Sequence, residues 1–139
     1  MRTLFIVLVF LAITSAFKIR IHSEAQADAE KIAKKVEDAI ATKNSALVAK
    51  QFHHDFVYRG CRNIRKSRAQ VLKDLSKLPE NFEYSVRVID AKRIGSKTLK
   101  YSLEWSFGNH ISTYEFVARK HHGEYVLERA TRTDCHLYL

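Results

Sequence analysis

An α+β fold, with helices in the first half packed on one antiparallel sheet in the second, is predicted by three features of this 139-residue chain. Apolar residues recur at helical spacing only before residue 79. From residue 82 to 135 they alternate with polar residues instead, the period of a half-buried strand. All four glycines fall at breaks between alternating segments, and three of them divide this stretch into four strands.

The first helix is expected from Ser23 to about Thr42. Ala25, Ala29, Ile32, Ala33, Val36 and Ile40 form its apolar face, while Lys31, Lys35, Glu37 and Asp38 fill the wet side. Ser23 followed by Gln26 has the spacing of a capping box, and Glu30 stands four residues before Lys34. A short second helix is expected from Asn44 to Phe52, with Leu47 and Val48 inward. The third, from Ser67 to Leu78, again opens Ser-x-x-Gln, carries Val71, Leu72, Leu75 and Leu78 on one side, and is stopped by Pro79.

The proposed strand turns are Gly95-Ser96, Gly108-Asn109 and His122-Gly123. Two-residue turns at the first two fix the register by counting. Tyr84 then faces Phe107, Val86 faces Trp105 and Val88 faces Leu103, with Arg87 meeting Glu104 on the other side. Across the next hairpin Leu103 faces Tyr114, Tyr101 faces Phe116, and Leu99 faces Ala118. One side of the sheet becomes an apolar wall, to which the last strand adds Tyr125, Leu127, Arg129 and Thr131. A short strand from Phe56 to Arg59 completes the sheet beside the final strand.

Leu4 to Ile13 is a run of ten apolar residues behind Arg2, closed by Thr14-Ser15-Ala16. This is the layout of a secretory signal peptide over residues 1–16, leaving residues 17–139 as one secreted domain. Ten residues are too few to span a bilayer as a helix. An oxidising compartment favours a bridge between Cys61 and Cys135, the only cysteines. No Asn-x-Ser/Thr acceptor occurs. The formal charge of +9, one unit of it on Arg2, is spread along the chain. Outside the cell it speaks for anionic glycans or lipid surfaces over nucleic acid.

The helix order, the meander and the phrase Phe52-x-x-Asp55-Phe56-Val57-Tyr58-x-Gly60-Cys61 resemble the nuclear-transport-factor-2-like superfamily, most of all its small secreted nematode members. The resemblance covers about residues 23 to 135. It implies a cone whose bent sheet wraps a helix around an apolar cavity, used by some members for isomerase or dehydratase chemistry and by others for binding or dimerisation. The general base of the ketosteroid isomerases aligns with Gly60, which has no side chain. Their oxyanion-stabilising acid aligns near Glu115, which the register puts opposite Ser102 on the polar side. Catalysis of that kind is not expected.

The residues expected to hold a small hydrophobic ligand are Tyr84, Tyr101, Trp105, His110, Tyr114, Phe116 and Arg129. Arg129 would supply a cation for a carboxylate, unless it reaches the rim or pairs with the inward Asp90. Asp90, His110 and Tyr114 are the acid-base candidates of an enzymatic alternative. No cofactor is implied, and no metal site is expected: in His53-His54-Asp55 and in His121-His122 adjacent side chains on a strand point apart. Asp55 reads as a hydrogen-bonder before the strand. Arg59, Arg62, Arg65, Lys66 and Arg68 form a basic patch suited to sulfated glycans or anionic lipid. The outer sheet face, with Arg87, Lys100, Glu104, Glu115 and Glu128 around Ile89, Val117 and Val126, offers little for a dry homodimer interface. No Gly-x-Ser-x-Gly elbow or Gln-x-Val-x-Gly inhibitor hairpin occurs, which argues against a serine hydrolase and a cystatin-like inhibitor.

Overall fold

Helix α1 occupies residues 24–41 and lays Ala25, Ala29, Ile32 and Ala33, all buried, against the sheet. The computed structural model describes residues 24–138, so the predicted leader with its predicted cleavage point and the predicted Ser23 cap lie outside the described residues. Helix α2, Ser45–Ala49, is shorter than predicted. Asn44 caps it by accepting from the Ala46 and Leu47 amides. Val48 is buried as predicted, but Leu47 is 39% exposed because the helix stops after a turn or so, before that side is covered. Helix α3, Arg68–Ser76, has the predicted capping box between Ser67 and Gln70. Replacing Ser67 with alanine is expected to lower stability by about 1 kcal/mol in urea titration, the usual loss for an N-cap hydroxyl.

Among the described residues six strands form one sheet in the order β2-β1-β6-β5-β4-β3. They are β1 (Phe52–Arg59), β2 (Arg65–Ser67), β3 (Ser85–Arg93), β4 (Thr98–Phe107), β5 (His110–His121) and β6 (Glu124–Arg132). Strand β1 runs parallel to β6, and every other pair is antiparallel. It begins four residues earlier than predicted, and β2 was not foreseen. The β1–β2 hairpin turns through Arg62 and Asn63, both at positive φ. Gly60 is needed there by close approach: a Cβ would sit 3.1 Å from the Tyr58 ring and 3.3 Å from Ile64 Cβ.

The β4–β5 register is the counted one throughout, from Thr98↔Arg119 to Phe107↔His110. Elsewhere the count is broken by bulges. Near the first turn Ala91 pairs with Tyr101 and Arg93 with Leu99, one step off the count, because the connection is longer than two residues. A bulge beyond Val88 then restores the counted pairs Val88↔Leu103 and Val86↔Trp105. Ala91, 1% exposed, therefore takes the inward place, and Asp90 turns to the outer side opposite Ser102.

In β6 the two-residue turn at His122-Gly123, both at positive φ, sets Leu127 opposite Ala118 as counted. A bulge at Glu128 then puts Arg129 opposite Val117 and Thr131 opposite Glu115, on the outer face. Arg129 and Thr131 are thus not on the inner wall; Ala130 and Arg132 are. The largest irregularity lies in β1, where Phe52 pairs with Leu127 and Val57 with Arg129, so that β1 has three more residues between these rungs than β6. Asp55 falls inside this bulge, within the strand and not before it. Bulges bend the strands that carry them, and the sheet curves around α1 and α3.

Candidate functional site

Curvature leaves a cavity of about 310 Å³ between the concave face of the sheet, α1 and α3. The sheet supplies its aromatic wall. Tyr101 and Phe116, cross-strand partners, stack at 5.3 Å with planes 14° apart. Trp105 meets Tyr84 edge-on at 5.9 Å and Tyr114 at 6.3 Å. Phe52, Phe56 and Tyr58 of β1 form the floor, while Ala33, Val36 and Ile40 of α1 and Val71 and Leu75 of α3 close the other side.

Polar groups in this space are few. Among the described residues the buried Trp105 indole N–H has no hydrogen-bond partner. Burial holds the Tyr101 phenol far above its ordinary range, so it stays neutral. Glu37, Lys66 and Asp74 are the charged lining residues and mark the mouth. Lys66 and Asp74 pair at 2.6 Å, and the hydrogen bond from Lys66 holds the Asp74 carboxyl below its usual value. Partial burial pushes the Glu37 carboxyl up, with Lys34 opposing and Asp38 adding to the rise.

Tyr84, Tyr101, Trp105, Tyr114 and Phe116 all line the cavity. His110 does not: it shares their side of β5 but stands exposed at the strand's first position. Arg129 is excluded by the Glu128 bulge and is exposed on the other face. The inward arginines are others. Arg93 reaches Asp28 of α1 at 2.6 Å, and Arg132 donates to the buried Asp134 at 2.8 Å. Burial raises the Asp134 pKa, but the Arg132 hydrogen bond and the Thr113 backbone outweigh it and hold the carboxyl low. A guanidinium on this side needs an acceptor, and each has one. Phe56 and Tyr58 were missed as lining residues; their signal is the alternation within the Phe56-Val57-Tyr58 phrase.

Glu115 faces outward and pairs with Lys100 at 3.1 Å, so the isomerase acid is absent from the cavity, as counted. The basic patch is divided. Arg68 spends its guanidinium on the Ala49 and Phe52 carbonyls at 2.7 and 3.2 Å, and Lys66 is held by Asp74. Arg59, Arg62 and Arg65 remain exposed.

A bent sheet folded over helices to leave an aromatic-walled hollow defines the class: a cavity-bearing α+β cone. The family model for the NTF2-like domain matches residues 26–137, and the chain belongs to that family. Its structure is similar to an NTF-2-like protein of unknown function from Silicibacter pomeroyi DSS-3, with TM-score 0.67 and 10% identity over 80% of this chain and 96% of that one. One from Shewanella oneidensis MR-1, also of unknown function, gives 0.64 and 10% over 78% and 98%. A domain of unknown function with a cystatin-like fold from Nostoc punctiforme gives 0.59 and 10% over 79% and 76%. At these identities the likeness is one of fold. No curated protein matches the chain by sequence.

Proposed function

We propose that the protein is a secreted, non-catalytic binding module whose cavity holds a small apolar molecule bearing one hydrogen-bond acceptor. The unpaired Trp105 indole N–H carries this reading. An unsatisfied buried donor costs about 1–3 kcal/mol, which an acceptor on the ligand would recover, while the aromatic walls take its apolar body. The volume of about 310 Å³ is at the small end of ligand pockets. With Arg129 outside and Lys66 paired to Asp74, a neutral carbonyl or ether suits the site better than a carboxylate.

Secretion is supported by the leader-like run and the Cys61–Cys135 bridge. Among the described residues no helix is long and apolar enough to cross a membrane. The Phe52–Cys61 phrase supports kinship with small secreted nematode members. An isomerase- or dehydratase-like enzyme is the second reading, and the raised Glu37 carboxyl at the mouth is the group that favours it.

The test compares a straight-chain methyl ketone with the terminal alkene of equal length, by calorimetry. The ketone is expected to bind wild type about fivefold tighter, the worth of one net hydrogen bond. In Trp105→Phe the two should bind alike. Equal binding to wild type would remove the acceptor from the proposal, and absence of binding by both would remove the cavity's role.

A further inference from the structure

We propose that the β1 bulge builds a site for one divalent transition-metal ion of the zinc or copper type, held by His53, His54 and Asp55 with His121 as a fourth donor. Regular alternation would send neighbouring side chains to opposite faces. The three additional residues of β1 between the Phe52 and Val57 rungs abolish that alternation. Donor atoms of His53, His54 and Asp55 consequently lie within 4.8 Å of one another.

The geometry approaches that of a coordination shell. His54 Nε2 and Asp55 Oδ2 are 3.0 Å apart, near the roughly 3.3 Å between two ligands bound tetrahedrally at about 2.0 Å. His53 Nδ1 accepts from the Asp55 amide at 3.2 Å, a bond that ties its ring to the same bulge and that Nδ1 would give up if it were the ligating nitrogen. The ring of His121 stacks on that of His53 at 4.8 Å. His121 Nε2 is buried without a hydrogen bond among the described residues. Glu128 Oε1 stands 3.6 Å from it and is itself anchored by Arg119 at 3.1 Å, the second-sphere carboxylate that commonly orients a ligating imidazole.

Donor chemistry selects the ion. Imidazoles with one carboxylate suit zinc and copper(II), whereas calcium and magnesium demand more oxygens than this set offers. Asp55 and Glu128 offset the positive charge of Arg119. His54 and Asp55, 77% and 79% exposed, are free to rotate toward an ion, whereas His121 joins the shell only by turning out of its stack on His53. None of the four proposed ligands lines the aromatic cavity, so this site is separate from the one proposed above.

Calorimetric titration of tag-free protein with Zn²⁺ and with Cu²⁺ tests the assignment. One equivalent of each is expected at micromolar or tighter affinity, copper the tighter by the usual order of divalent ions. The double variant His53→Ala/His54→Ala should lose at least tenfold in affinity while keeping the wild-type melting temperature in metal-free buffer. His121→Gln should weaken zinc and change the visible spectrum of the Co²⁺-loaded protein. Unchanged affinity in the double variant would place the ion on other histidines such as His110 or His136 and overturn the proposal. So would the absence of stoichiometric binding.

Discussion

Replacing Cys61 and Cys135 together with alanine is expected to lower the unfolding free energy by about 2–5 kcal/mol. The bridge joins residues separated by 74 positions, a loop for which the chain-entropy argument gives about 4.5 kcal/mol as an upper figure. Its place matters as much as its span. Antiparallel neighbours in this sheet are joined by hairpins, but the parallel β1–β6 pair lies far apart in sequence and has no local closure. Cys61 follows β1 and Cys135 follows β6, so the bond fastens the end of that one pair. Urea titration of wild type, the double variant and reduced wild type measures the effect. A loss below 1 kcal/mol would mean that the unlinked chain already holds these strands together.

Leu99→Ala should cost about 2–5 kcal/mol, by lost burial together with the hole left behind. Leu99 is fully buried in β4, opposite Ala118 and Arg93. Ala118 is too small to fill the gap, and Arg93 is held by its ion pair with Asp28. It does not line the cavity, so ketone affinity measured well below the melting point should stay within twofold of wild type. A tenfold loss of binding at unchanged stability would show that the hollow extends to this layer. With Trp105→Phe the variant forms a contrasting pair, one acting on stability and the other on ligand choice.

The central meander was legible because the β4–β5 turn is a true two-residue connection, and from it Trp105, Tyr101, Tyr114 and Phe116 fall on one side by counting alone. The α3 cap was legible for a similar reason: Ser67 and Gln70 satisfy each other locally. Arg129, Asp90 and the His53-His54-Asp55 group were misplaced by one cause. Each lies at or beyond an irregularity in strand pairing, and neither the Glu128 bulge nor the one after Val88 has a glycine or proline to announce it. Parity is exact only until an additional residue is inserted, and nothing local records the insertion. Leu47 failed differently: its apolar character suggested an inward face on a helix that ends too soon to have a covered one.

The kink at Glu128 also changes what counts as a conservative alteration of the gene. Removing that single codon would leave composition almost untouched and keep Arg129 outward and Ala130 inward, yet it would take out the bulge and with it the bend this strand contributes to the sheet's wrap around the helices. Length, in this strand, is under stricter physical control than side-chain identity. Point substitutions along its outer face should accumulate where one-residue deletions cannot.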